Sequence, residues 1–367
     1  MSELIDRSAR VSSLELFFDL VFVFTITQLT GVLVAGSGAA AALQVLVMLA
    51  LIWWMYDGYA WLTNAIATDL VRFRLLLLGG MGAFLVIALA IPTAYAGQGL
   101  AFGLGYVVVV VLHAGMYSKS TSVSEVAAIL RIVPFNLTAA ALVLAGGIAG
   151  GRAQDVIWLA AAILLWATGW FANTEGFVIA AEHFVERHGL VIIIALGESI
   201  VVIGAAASGV PLDLRLAFVA LLSLALSATL WWLYFRDEDP VEDAMKSATP
   251  AVRARFALVG FGYWHYGLLL GVVAVAAGLK KAVGDPYDPL DGWIGAELGV
   301  GVALFVWGTV GFTRALGLGV STPRLVAGAA ALATIPIGTE WTAAAELAAL
   351  TAIVAAALLV EGRRGAT

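Results

Sequence analysis

Residues Leu14–Val34 read LELFFDLVFVFTITQLTGVLV. A helix that crosses the hydrocarbon core of a bilayer needs about 20 mostly apolar residues, at a rise of about 1.5 Å each. This stretch meets that length while carrying only two charges, Glu15 and Asp19. The pattern then recurs. Apolar runs at 41–62, 75–95, 99–117, 126–148, 155–172, 190–208, 214–234, 256–279, 293–313, 325–339 and 342–361 bring the expected number of spans to twelve. The last three are rich in Ala and Gly and are divided by short gaps.

Composition agrees with this reading. The 367 residues are 62% hydrophobic and 12% charged, with a mean hydropathy of +1.00. Soluble domains carry roughly 25% charged residues. A soluble surface has to be wetted, so a deficit of that size means that most of the surface faces lipid. The absence of cysteine excludes disulfides, thiolate metal sites and a cysteine nucleophile. The opening MSELIDRSARVSSLE is polar and lacks the basic-then-apolar layout of a cleaved signal peptide. The longest connection, 235–252 (FRDEDPVEDAMKSATPAV), is acidic and reads as a loop, so no soluble domain is expected.

Lys and Arg are retained on the cytoplasmic side of membrane proteins. If the eleven connections between the twelve spans alternate, all 19 Lys and Arg except Arg152, Arg215, Lys280 and Lys281 share the compartment of the N-terminus. That group includes Arg7, Arg10, Arg72, Arg74, Arg131, Arg253, Arg255 and Arg364. The split predicts an all-α integral membrane protein with both termini cytoplasmic.

The halves echo each other. Trp53-Trp54-Met55-Tyr56 ends the second run and Trp231-Trp232-Leu233-Tyr234 the eighth. The next runs open on Arg72-Phe73-Arg74 and Arg253-Ala254-Arg255, followed by Gly79 and Gly260 at matching spacing. Asp19 lies opposite Glu198 to within a residue. These offsets predict two parallel six-helix repeats, 1–174 and 175–367, as in transporters built from parallel repeats. The same motifs also suit ordinary aromatic-belt and positive-inside positions.

Charge at the centre of a bilayer costs at least about 2.5–3.5 kcal/mol, so acids inside spans are functional candidates. Glu15 and Asp19 sit four apart on one helix face and repel each other. Either they share a proton or a cation stands between them. Arg72, Arg74, Arg253 and Arg255 are the cations that topology brings nearest. The plainer reading of Glu15 is an acid favoured in a first helical turn.

A second concentration lies in Glu182-His183-Phe184-Val185-Glu186-Arg187-His188-Gly189, which runs into the apolar stretch Leu190–Ile203. In a continuous helix His183, Arg187, Ile194 and Glu198 share a stripe, with Ser199 beside it. Glu198, some two turns deep, needs a proton, a hydrogen-bond partner or an ion. His183 and Glu186, three apart, match the spacing of a metal-binding pair, although the commoner reading of His183–His188 is a solvated helix start. Asp57 is either a snorkelling acid or part of the same network. Arg131, Pro134 and Asn136 put a cation and a helix break close together, which is tolerated where backbone lines a cavity. His113 and His265 read as packing histidines. Gly99/Gly103, Gly146/Gly150 and Gly147/Gly151 fit close helix packing.

The stretch Val11-Ser12-Ser13-Leu14-Glu15-Leu16-Phe17-Phe18-Asp19-Leu20-Val21-Phe22-Val23-Phe24, together with His183-Phe184-Val185-Glu186-Arg187-His188-Gly189-Leu190 through Gly197-Glu198-Ser199, resembles the bacterial low temperature requirement protein A family. The resemblance extends over the chain, implies a polytopic protein of the bacterial inner (cytoplasmic) membrane and adds weight to the site residues, but implies no mechanism. Phe18-Asp19-Leu20-Val21-Phe22 also resembles the Phe-Ser-Asp stretch of an endolysosomal-type potassium channel family, with Phe18 in place of the Ser.

The functional expectation is transport of a small solute or ion, with protons as a possible coupling ion, through a cavity between the repeats. Its pathway residues are Glu15, Asp19, Asp57, His183, Glu186, Arg187, His188, Glu198 and Ser199, with Arg72, Arg74, Arg131, Arg253 and Arg255 as charge partners. A cation channel, or an intramembrane enzyme or lipid-binding protein using the His/Glu cluster, is the alternative. No phosphate loop, nucleophile elbow or zincin motif is present, so no cofactor, resident metal or nucleic-acid partner is expected. Lipids and the transported species are the expected partners.

Overall fold

The computed structural model describes residues 11–365 except 37, 66–69, 120–121, 172–173, 209–210 and 212. Arg7 and Arg10 of the charge count lie outside these residues, as does the side chain of Arg364. The described residues are helical throughout, with no strand. The helices are α1 (Ser13–Ala35), α2 (Ala39–Ala65), α3 (Val71–Ala90), α4 (Gly99–Tyr117), α5 (Val123–Ala149), α6 (Gly151–Phe171), α7 (Ala181–Ala206) and α8 (Leu214–Phe235). There follow α9 (Glu238–Ser247), α10 (Pro250–Phe256), a π-helical stretch (Ala257–Trp264), α11 (His265–Gly284), α12 (Gly292–Ala315), α13 (Thr322–Leu332), α14 (Ile335–Glu340) and α15 (Ala343–Gly365). Eleven helical stretches among the described residues are long and apolar enough to cross a membrane.

The eleventh expected span, 325–339, is not one helix. It is α13 and α14, broken at Ala333–Thr334. Pro336 in the first turn of α14 has no N–H to give to a helix continuing from α13, so a break just before it costs little. The expected loop at 235–252 is a second correction. It holds α9, whose Glu238 and Asp239 open the helix and whose Lys246 closes it, each complementing the helix dipole. Val241 and Met245, four apart, are buried and hold that helix down.

Large apolar side chains stay exposed on the spans: Leu221 is 65% exposed and Ile163 60%. Water would penalise such surfaces and lipid does not, which is the expected dress of a membrane helix.

The chain falls into two compact units. The first comprises Met1–Leu29, Leu43–Val191 and Glu242–Gly262; the second comprises Thr30–Ala42, Ile192–Val241 and Tyr263–Thr367. In the first, α4 packs on both α3 and α5, and α5 on α6. Glycines set the closest approach: a Cβ on Gly147 would lie 2.1 Å from the Gly99 carbonyl oxygen and 2.4 Å from its carbon. Gly150 and Gly151, with φ of +65° and +55°, turn the chain from α5 into α6 instead of packing against another helix. In the second unit α11 packs on α12, where a Cβ on Gly271 would sit 2.7 Å from the Gly301 carbonyl oxygen.

Candidate functional site: a buried ion cluster in the first unit

The cluster begins at the start of α1. Ser12 caps the helix: its backbone N–H and hydroxyl both donate to Glu15 Oε2, at 2.9 and 2.8 Å, and its Oγ accepts from the Glu15 N–H at 3.3 Å. This reciprocal arrangement is a capping box. It fixes the Glu15 rotamer and leaves Oε1 to face inward. One turn on, Asp19 is fully buried. Phe18 and Phe22 flank it and stack on Tyr56 of α2, whose hydroxyl donates to Asp19 Oδ1.

The cation between the two acids is Arg187. Helix α7 begins nine residues before the expected span, so His183 and Arg187 lie on successive turns of one helix face. Arg187 Nη1 donates to Glu15 Oε1 at 2.9 Å and to Thr63 Oγ1, and Nη2 reaches Asp19 Oδ1 at 3.3 Å. Its guanidinium also lies 5.7 Å from the Phe18 ring centroid and 5.8 Å from that of Tyr56, within cation–π range. Satisfaction is nevertheless incomplete. Asp19 Oδ2 and Arg187 Nε are buried without a hydrogen-bond partner.

The two histidines are held differently. His183 Nε2 faces Glu15 at 3.1 Å, and its Nδ1 lies 3.2 Å from the Asn64 amide nitrogen. Asn64 Oδ1 accepts from the Ala180 N–H, which fixes the amide orientation. Asn64 is therefore the donor to Nδ1, and the His183 proton sits on Nε2. His188 Nδ1 lies 2.9 Å from the Phe184 carbonyl oxygen, and its Nε2 lies 3.2 Å from Asp57 Oδ1. A carbonyl only accepts, so Nδ1 carries a proton. A neutral imidazole then presents a bare Nε2 to a carboxylate, which is repulsive. The pair needs one further proton, on His188 or on Asp57.

Other expected members lie elsewhere. Glu186 Oε2 accepts from the Val11 N–H and ties down the start of α1. Glu198 and Ser199 are buried in the second unit, where Ser199 Oγ has no hydrogen-bond partner. The expected charge partners Arg72, Arg74, Arg253 and Arg255 do not serve Glu15 or Asp19. Arg72 and Arg74 are exposed at the start of α3, with Arg72 over the Phe73 ring. Arg253 donates to the Met245, Lys246 and Ala248 carbonyls at the end of α9 and to Ile179, because the last carbonyls of a helix lack partners of their own. Arg255 is exposed, and Arg131 donates to the Glu175 carbonyl.

The profile of the bacterial low temperature requirement A protein family matches residues 10–360, nearly the whole chain. The chain belongs to this family. It is also 29% identical over 325 residues to the uncharacterized protein RA0937 of Rhizobium meliloti (strain 1021), covering 82% of this chain and 76% of that one. Sequence reasoning missed several polar residues in and around the cluster and in the second unit. Tyr56 was legible only as a belt aromatic, and Thr63 and Asn64 carry no mark beyond lying on the same helix as Asp57. In the second unit Arg324 pairs with Asp237 and Glu361. Glu346 is fully buried beside Thr334, 3.4 Å away. The intramembrane-acid rule that singles out Glu198 applies equally to Glu346, within the run 342–361.

Proposed function

We propose that this family member is a membrane transport protein that moves a small solute or ion in exchange for, or together with, protons. The observation that carries the reading is His188, buried between the Phe184 carbonyl and the Asp57 carboxylate. That pair is a proton-binding site by hydrogen-bond arithmetic alone. It lies one residue along α7 from Arg187, which already balances Glu15 and Asp19. A change of proton number there alters the field on Arg187, and the partner-less Asp19 Oδ2 and Arg187 Nε leave room for a second arrangement. The proposal includes the parallel duplication, with Glu198 as the counterpart of Asp19 in the second half.

The test is reconstitution in liposomes with a pH-sensitive dye in the lumen and an imposed potassium diffusion potential. Wild-type protein should move protons, and Asp57→Asn and Asp19→Asn should each slow the dye response at least tenfold while far-UV helicity is kept. An undiminished response in both variants would overturn the reading. A current that keeps rising with voltage without saturating would favour a channel.

A further inference from the structure

A cavity of about 70 Å³ lies within the first unit, bounded by residues of α2, α4, α5, α6 and the π-helical stretch, with Thr174 and Phe177 from the connection after α6. At about 10–15 Å³ for each water-sized occupant, that is room for about five heavy atoms. Three features define what fits. Aromatic faces come from Trp54, Trp61, Tyr117 and Phe177. The formal charge comes from Asp57, and among the described residues no Lys or Arg is in the lining. Two polar atoms of the lining residues are buried without a partner and able to accept, His113 Nδ1 and the Tyr117 hydroxyl oxygen. His113 Nε2 lies 2.9 Å from the Gly58 carbonyl oxygen, so it donates there and Nδ1 is left as a bare lone pair.

Aromatic rings, a carboxylate and unpaired acceptors are the complement of a charged N–H donor on a short hydrocarbon. An anion would meet Asp57 with no Lys or Arg among the described lining residues to offset it. A neutral hydrocarbon would leave His113 Nδ1 without a donor, at a cost. Pro134 supports the cavity's shape. It interrupts the α5 ladder between Ile129 and Asn136, both of which line the space, and Asn136 is held there by the Trp54 indole N–H at 3.0 Å.

We propose that this cavity binds a small protonated alkylamine, with the ammonium toward Asp57 and His113 Nδ1 and the alkyl tail against Ile129 and Ile132. Calling that amine the transported substrate rests on the transport reading; the binding site does not. Asp57 serves both the cavity and His188, so an ammonium arriving at Asp57 competes with the proton that this pair holds. The site thereby supplies a direct route for exchange of amine against proton.

Calorimetric titration of n-propylammonium, 1-propanol and propionate into the protein in nanodiscs tests the site. The amine should bind saturably and at least tenfold more tightly than the alcohol, with no propionate binding. Asp57→Asn should weaken the amine at least tenfold, and Tyr117→Phe should weaken it measurably without a loss of thermal stability. Equal binding of amine and alcohol in the wild-type protein would overturn the proposal, and that comparison needs no variant. So would full amine affinity in Asp57→Asn. Amine binding without proton movement in liposomes would sink the transport reading and leave the site. Proton movement without amine binding would do the reverse.

Discussion

Each unit holds an arginine between two carboxylates, and the two are built to different standards. Arg324 in the second unit spends its whole guanidinium: Nε and Nη2 reach Glu361 at 2.9 and 3.2 Å, and Nη1 reaches Asp237 at 2.5 Å. The Asp237 and Glu361 side chains remain 20% and 13% exposed, so water shares the burden of solvating them. Arg187 in the first unit faces carboxylates that are 3% and 0% exposed, yet leaves its Nε and one oxygen of Asp19 without partners. Bidentate, fully used pairs are clamps. A dry cluster with unmet valences is costly to keep, and a second hydrogen-bonding arrangement is what the proposed transport role asks of it. The difference separates a structural tie from an element suited to switching.

Three substitutions break or sharpen this contrast. The largest effect is expected for Arg187→Met, which strands Glu15 and Asp19 in a dry site. Removing one partner of a buried ion pair costs about 3–5 kcal/mol, so denaturant unfolding in detergent should show a loss of that order together with no proton movement. A variant of wild-type stability would mean that the acids are not ionised beside it.

Arg324→Gln comes next. Its partners keep some water, so a loss of about 1.5–3 kcal/mol, the range for hydrogen bonds to charged groups, is expected. Proton movement in liposomes should be unchanged, and a tenfold fall would erase the distinction between clamp and switch. Ser12→Ala is the smallest. Loss of a capping side chain costs about 1 kcal/mol, seen as a small shift in the unfolding midpoint. It should also remove one of the donors to Glu15 Oε2, the Ser12 backbone N–H remaining, and a pH dependence of proton movement shifted from that of the wild type checks this.

The region around Arg187 also shows where sequence reading stops. Glu15 and Asp19 stood out because charge is rare in apolar runs, and His183 and Arg187 because ionisable groups crowd the entrance to the run 190–208; neither signal needs coordinates. Their pairing did not stand out. Positive-inside counting pointed to Arg72 and Arg74, which are near in topology. The cation that arrives comes from a helix more than 160 residues along the chain, and it arrives because α7 starts two turns earlier than the apolar run. Polar residues at a helix start carry no hydropathy signal, so a helix continuous through His183 and Arg187 could be raised from the sequence but its start not fixed. The break in the expected span 325–339 was hidden for the opposite reason, since Ala- and Gly-rich sequence remains apolar whether or not the helix continues.

What the sequence determined by itself is the solvent: runs of apolar residues too long and too little charged for water place this chain in a membrane as helices, because backbone polar groups in lipid must be satisfied within the segment. The tertiary structure decided which acid meets which cation, that His188 lies between two acceptors, and that Asp57 borders a cavity. Those are facts of distance and direction over a few ångströms, fixed by helix packing, and a linear pattern of residue types does not carry them.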